Sequence, residues 1–532
     1  MIKKTDDLNN RNSALVKGTA SLTLSVIIVK IIGFLYKIPL ASILGDEGMG
    51  YFNSAYTVFT FFYMLCCGGI PKAISIIITE NDTEGNYGAS DKLLASCLKT
   101  FLLIGIFFCS VLVFFSRFIA LAIGNERSYF SLLAIAPSLI FVSLTGVLRG
   151  YLNGRRRIGY IAISEMLDGC IKFIFGLLFA SLAVSWGYAP EMIAAFVVTG
   201  IVIGSFASAL FLYICAKNTK YRDISRQKKE DGADIRQTLK RIIRIALPIT
   251  LSTAVMSASN LIDLAMIVRR LTASGLDPTL AISLYGNFTT LALPMLNLIG
   301  ALITPVATSA LPEFTALKTA GRHDQLSRLG CGIIKVCAWF VIPITFAFLF
   351  FSYEILCVFF NDGSAFLGAP LLTLLAPCAI FLPILTVANT ALEASGHSEI
   401  SLLSMTAGMI AKIILSYFLI GDPDIGIIGA PLGTTLCYAV ALLISLFAVY
   451  KTLKLRLSFL SSLIKPSAFS LFSVGIGRLA YDKLCAGGFS LLVFMLCALF
   501  CVLIYLLLNC IFSKNEFLGA LNSFTMHKKG AV

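Results

Sequence analysis

Apolar runs of about 20 residues recur from one end of this 532-residue chain to the other, and a helix needs a run of about that length to cross the hydrocarbon of a bilayer. Lipid offers the backbone no hydrogen-bond partner, so such runs fold as helices that satisfy their own N–H and C=O groups. A hydrophobic share of 58%, a charged share of 13% and a mean hydropathy of +0.89 exclude an ordinary water-soluble core. The pattern predicts an all-α polytopic membrane protein with about fourteen spans, at 19–44, 51–79, 93–118, 129–152, 160–184, 192–215, 242–268, 280–311, 332–360, 371–391, 400–419, 429–450, 463–481 and 489–512.

The charge pattern orients these spans. The net charge of +14 does not indicate nucleic acid, because most of the 42 Lys and Arg fall on one side of the predicted membrane. Arg155-Arg156-Arg157, the polar stretch 216–240 and Lys451, Lys454 and Arg456 mark that side as cytoplasmic. Both termini are expected there, in a multi-pass protein of the cell membrane. The first apolar run is too long for a removed signal peptide and lacks a small-residue cleavage site. The fifteen cysteines lie almost all in apolar runs without Cys-x-x-Cys, and read as small apolar residues, not disulfides or metal ligands.

The halves repeat. Placed 240 residues apart, Ala136, Pro137, Phe141, Leu152 and Lys172 meet Ala376, Pro377, Phe381, Leu392 and Lys412. The Pro and Lys pairs carry the most weight. The expected organisation is an N-terminal six-helix lobe at 1–215, a basic cytoplasmic linker at 216–241, a C-terminal six-helix lobe at 242–450, and two extra helices with a tail at 451–532. An even number of spans per lobe implies a pseudo-two-fold along the membrane normal, a transporter layout worked by rocking one lobe on the other.

Charges inside spans are the candidate functional groups, since a charge in hydrocarbon costs about 2.5 kcal/mol or more unless it faces protein, water or a counter-ion. The intramembrane cations are Lys30, Lys37, Lys72, Lys99, Arg149, Lys172, Lys335, Lys412 and Arg478. Lys30 and Lys37, seven apart, share a helix face; they either snorkel to a headgroup or line a hydrated interior, and the interior is the preferred reading. Lys99, Lys335 and Arg478 lie near span ends, where snorkelling accounts for them, and Arg149 stands at the edge of the arginine run. The buried acids are fewer: Glu165, Asp168 and Asp263. Asp168 and Lys172 have the spacing of a helical ion pair; Asp263 and Glu165 are candidates for coupling to a proton or monovalent cation. The surplus of cations suits an anionic substrate such as a phosphate or pyrophosphate headgroup. Prolines at Pro39, Pro71, Pro137, Pro248, Pro294, Pro305, Pro343, Pro377 and Pro383 are expected to kink their helices. No phosphate loop, zinc-spaced histidines or nucleophile elbow is present, so neither a cofactor nor an enzyme active site is expected.

Several stretches resemble the stage V sporulation protein B-like polysaccharide transporters: Lys30-Ile31-Ile32-Gly33-Phe34, Gly48-Met49-Gly50-Tyr51, Gly69-Ile70-Pro71-Lys72-Ala73-Ile74-Ser75 and Arg149-Gly150-Tyr151, then Leu284-Tyr285-Gly286-Asn287, Ala292-Leu293-Pro294-Met295-Leu296-Asn297 and Ala307-Thr308-Ser309-Ala310-Leu311-Pro312. These belong to the multidrug, oligosaccharidyl-lipid and polysaccharide exporter superfamily, with the lipid II flippases. The resemblance implies a monomeric flippase that moves an undecaprenyl-pyrophosphate-linked glycan for peptidoglycan, spore or other polysaccharide synthesis from the inner to the outer leaflet. On that reading Lys30, Lys37 and Lys72 hold phosphate charge, with Arg149, Lys172 and Lys412 as further candidates. Lys30 stands where the flippases commonly carry Arg, giving a point charge in place of a bidentate fork. The rival readings are a cation-coupled multidrug exporter of the same superfamily, whose cavity should favour acids, and a membrane enzyme acting on lipid-linked sugars.

Overall fold

The computed structural model describes residues 2–83, 85–155, 157–223, 235–309, 314, 317–318, 322–395, 397–453, 460–485 and 489–512. Among the described residues all regular structure is helical. Among the described residues ten helices are long and apolar enough to cross a membrane, and up to eleven when a bent pair counts as one span. Among these residues 19–44 and 51–79 contribute a single stretch, Leu35–Asp82, and helices also cover 242–268 and 463–481. The chain divides into two compact units, one of Met1–Thr272 with Leu276–Gly286 and the other of Ala273–Gly275 with Asn287–Val532.

The first unit contains α1 (Ile2–Cys67), α2 (Ile70–Thr83), α3 (Tyr87–Ala122), α4 (Tyr129–Ile135), α5 (Ser138–Gly154), α6 (Ile158–Ser185), α7 (Pro190–Asp223), most of α8 (Ile235–Ala273) and most of α9 (Pro278–Asn287). Helix α1 breaks at Gly45, the first residue of the acidic turn, which holds φ +64°. The second expected span stops at Gly68-Gly69 and resumes as α2; there the Gly69 amide donates to the Thr250 hydroxyl of α8 (3.0 Å). The fourth span bends by 45° between α4 and α5, where Pro137 has no N–H to continue the ladder. Helix α7 runs on to Asp223 and α8 starts at Ile235, and the part of the expected connector at 224–234 lies outside the described residues.

Close packing of α5 has a plain cause. Gly146, Gly150 and Gly154 recur every fourth residue and present one smooth face: a Cβ would stand 2.9 Å from Cys67 Cβ at the first, 2.8 Å from the Pro71 carbonyl oxygen at the second and 2.7 Å from Ile78 Cβ at the third. Small residues at this spacing let helix backbones approach where lipid supplies no hydrophobic drive. Ile74, Ile77, Leu148, Tyr151 and Leu152 form the surrounding core.

Arg155, read above as a marker of the membrane surface, is a buried lock. Its side chain is 3% exposed and pairs with Asp91 at 3.0 Å and with Asp82 at 3.4 Å. Its guanidinium lies 4.6 Å from the Tyr151 ring centre, and Tyr151 donates its hydroxyl to the same Asp91 at 2.6 Å. The lock joins the end of α5 to the start of α3 and the end of α2.

The second unit contains α10 (Leu293–Ser309), α11 (His323–Phe350), α12 (Ser352–Phe359), α13 (Asp362–Ala394), α14 (Ser398–Ile420), α15 (Gly429–Leu453), α16 (Leu460–Leu484) and α17 (Leu491–Phe512), with a π-helical turn over Phe288–Ala292 before α10. The expected span 332–360 is divided at Phe351 into α11 and α12. Pro370, Pro377 and Pro383 all lie inside α13. The last two helices dock on α11 and α12. Tyr505 donates to the Trp339 carbonyl (2.9 Å), and Arg478 pairs with Glu354 at 2.7 Å and Asp482 at 3.0 Å. Arg478 is therefore an ion-pair member and not a snorkelling end group.

Candidate functional site

Four charged side chains of the first unit, Arg149, Glu165, Asp168 and Lys172, line a cavity of about 400 Å³. Helix α6 supplies Glu165, Asp168 and Lys172, spaced i, i+3 and i+7 and so on one face. Helix α5 adds Thr145 and Arg149, α7 adds Ser205 and Ser208, and the second half of α1 adds Tyr56, Phe59, Thr60 and Tyr63. Close approach of α7 to α6 relies on Gly204, where a Cβ would stand 2.9 Å from Asp168 Oδ1.

Charge varies along this cavity. At one end Arg149 Nη1 and Glu165 Oε1 are 3.4 Å apart, each half-buried, and compensate each other. At the other, Lys172 does not close the expected helical ion pair with Asp168; its ammonium sits over the Tyr56 ring, 5.7 Å from the centre, an electrostatically favourable position. Lys37 of α1 lies close enough to Lys172 for the two charges to repel. Asp168 lies between the ends and acts on both Lys172 and Arg149. Among the described residues that line the cavity, two cations, Arg149 and Lys172, stand with two acids, Glu165 and Asp168.

The other sequence-derived candidates are placed elsewhere. Lys30 is on α1, but its side chain lies outside the described residues. Lys72, on α2, is exposed and does not line the cavity. Lys412 is half-buried on α14 of the second unit, beside Cys378 of α13. Asp263 is buried on α8, near Tyr285, whose hydroxyl is 3.2 Å from that of Thr57. Arg149, a phosphate candidate that also stood at the edge of the arginine run, lines the cavity. The sequence reading missed Tyr56, Phe59 and Tyr63, whose spacing of three and four residues signals a helical face, and Ser205 and Ser208, which carry no signal in sequence. Among the described residues no group of His, Cys, Asp and Glu suits a metal ion.

Residues 15–318 match the family described as polysaccharide biosynthesis protein. The chain belongs to this family. It is 24% identical over 452 residues to stage V sporulation protein B of Bacillus subtilis (strain 168), covering 83% of this chain and 85% of that one. It is 22% identical over 449 residues to lipid II flippase MurJ of the same organism, covering 81% and 82%. Its fold matches a solved structure of lipid II flippase MurJ in an inward closed conformation, with a TM-score of 0.71 at 18% identity over 93% of this chain and 99% of that one. An inward-facing multidrug resistance MATE family transporter of the MOP superfamily matches with a TM-score of 0.58 at 16% identity, covering 84% and 98%. The helical architecture expected from sequence is thus found, in a multi-pass membrane protein whose fold is shared with both of these structures.

Proposed function

We propose that this protein is a flippase that carries a polyprenyl-pyrophosphate-linked glycan from the inner to the outer leaflet by alternating access, with both termini in the cytoplasm and two six-helix lobes related by a pseudo-two-fold. One observation carries the reading: Lys172 held over the Tyr56 ring in a cavity inside an apolar helical unit, with Lys37 within electrostatic reach. Two like charges in low dielectric repel, and an anion between them relieves both. A diphosphate supplies that charge, while its apolar chain remains in the lipid. The family and the similarity to a lipid II flippase support the same substrate class. Lys30 and Lys412 are the further phosphate candidates, and Asp263 and Glu165 are the coupling candidates, Glu165 beside Arg149.

The test is transfer of labelled undecaprenyl-pyrophosphoryl saccharide across reconstituted vesicles. Lys172→Glu is expected to slow transfer at least tenfold, about 1.4 kcal/mol or more in the barrier, with unchanged product mass. An altered product mass would point to an enzyme, and transfer unaffected by Lys172→Glu would remove the phosphate assignment.

A further inference from the structure

The cavity is not uniformly cationic, and its compensated end has the chemistry of a different ligand group. Along α6, Glu165 and Lys172 are separated by about 10 Å, at 1.5 Å per residue. At the Lys172 end the ammonium lies over the Tyr56 ring, with Lys37 within electrostatic reach. The Arg149–Glu165 end is neutral in sum and contains both donors and acceptors. Three of its polar atoms are buried without a hydrogen-bond partner: Arg149 Nε, Asp168 Oδ1 and Ser208 Oγ. They come from three different helices around one space, and an unsatisfied buried polar group costs about 1–3 kcal/mol. A phosphate is repelled from this end by Glu165 and Asp168. A neutral group whose every hydroxyl both gives and takes a hydrogen bond satisfies all three.

The cavity floor fits the same ligand. Tyr56, Phe59 and Tyr63 form a continuous aromatic strip, with ring centres 6.1 and 5.9 Å apart. It runs from Lys172, over Tyr56, to Arg149 and Asp168, near Tyr63. Aromatic faces with polar rims suit a ring that is apolar on its faces and polar at its edge. The volume of about 400 Å³ is within the range of small-ligand sites.

We infer that the Arg149–Asp168–Ser208 end of this cavity is a sugar subsite, which takes the hexose-type ring bonded directly to the diphosphate that Lys37 and Lys172 hold. The assignment rests on the flippase reading and adds a selectivity device to it: the lysines recognise charge and the compensated end recognises the glycan. Asp168 is the principal acceptor for the sugar hydroxyls, and Ser208 a donor and acceptor beside it.

Binding of two probes to the full-length chain in nanodiscs tests this: undecaprenyl pyrophosphate, and the same lipid carrying one N-acetylhexosamine. The wild type is expected to favour the sugar-bearing lipid at least tenfold. Asp168→Asn should lower affinity for that lipid about tenfold and Ser208→Ala about threefold, with affinity for the bare lipid within twofold of wild type. Lys172→Ala should weaken both. Ser208→Ala deletes a single hydroxyl without a partner, so it remains informative if Asp168→Asn does not fold. Equal affinity of the wild type for the two lipids, or equal loss for both in Ser208→Ala, overturns the subsite and leaves the flippase reading standing. Failure of the wild type to bind either lipid above a phosphatidylglycerol control overturns both.

Discussion

Replacing Arg155 by Ala removes the cation from a site where Asp91 and Asp82 have side-chain exposures of only 7% and 15%. Deleting one member of a buried ion pair costs about 3–5 kcal/mol, because the partner keeps its desolvation penalty and loses its compensation. The contact with the Tyr151 ring is lost as well, so the upper half of that range applies. The unit does not need to unfold as a whole to reveal this. Amides near 82–91 and 152–158 exchange through local opening, and at 1.4 kcal/mol per decade their protection should fall roughly seven-hundred- to a few-thousand-fold. Arg155→Lys keeps the charge but not the fork that reaches two carboxylates, and should recover only part of the loss. Amides of α17, in the other compact unit, serve as the reference and should not change. A loss below tenfold near Asp91, or an equal loss in α17, would refute the local lock. So would strong salt sensitivity of the wild-type protection, since buried charges are little screened.

Gly150→Val places a Cβ 2.8 Å from the Pro71 carbonyl oxygen and 2.9 Å from Ile74 Cβ; the overpacking should cost about 1–3 kcal/mol and lower the thermal midpoint, whereas Gly159→Ala, with nothing within 4 Å, should not. Arg478→Ala leaves the 5%-exposed Glu354 side chain without its 2.7 Å partner and should raise amide exchange across α16 while sparing α3. Asp277 accepts the Thr279 amide (3.0 Å) and hydroxyl ahead of Pro278, which together hold its carboxyl below the usual range. Its cap is whole above about pH 3.9, the unfolded value, and is lost as the pH falls through the lower folded value. Asp277→Ala should therefore speed exchange at the start of α9 at neutral pH and make no difference once the wild-type carboxyl is protonated.

Hydropathy located nearly every helix, because a membrane span must be long and apolar whatever its neighbours do. Breaks were less legible. Pro137 marks one plainly, but Phe351 has no such chemistry, and a π-helical turn at Phe288–Ala292 depends on packing that a linear pattern does not express. The cavity was visible in part: Lys37, Arg149, Glu165 and Lys172 stand out because charges in apolar runs are few. Asp168 was assigned to a pair with Lys172, since four-residue spacing is a local rule, yet the cation leans onto Tyr56 of another helix. Arg155 was misread for the same reason. Three consecutive arginines indicate a membrane surface, whereas the carboxylate that buries the first of them is 64 residues away. Arg478 and Glu354, 124 residues apart, repeat the lesson.

Helix α13 contains three imino acids in 33 residues, and each withdraws one rung from the helical ladder. The carbonyls of Phe366, Thr373 and Ala379 therefore lack their usual donor four residues on. Thr435 donates its hydroxyl to the neighbouring Leu374 oxygen at 2.9 Å, a brace from α15 near the middle of the helix. A rod notched at three points about two turns apart distributes bending along its length. Any motion that loads α13 is thus met by several small flexures and not by one pivot, and stiffening a single notch should blunt that compliance without abolishing it.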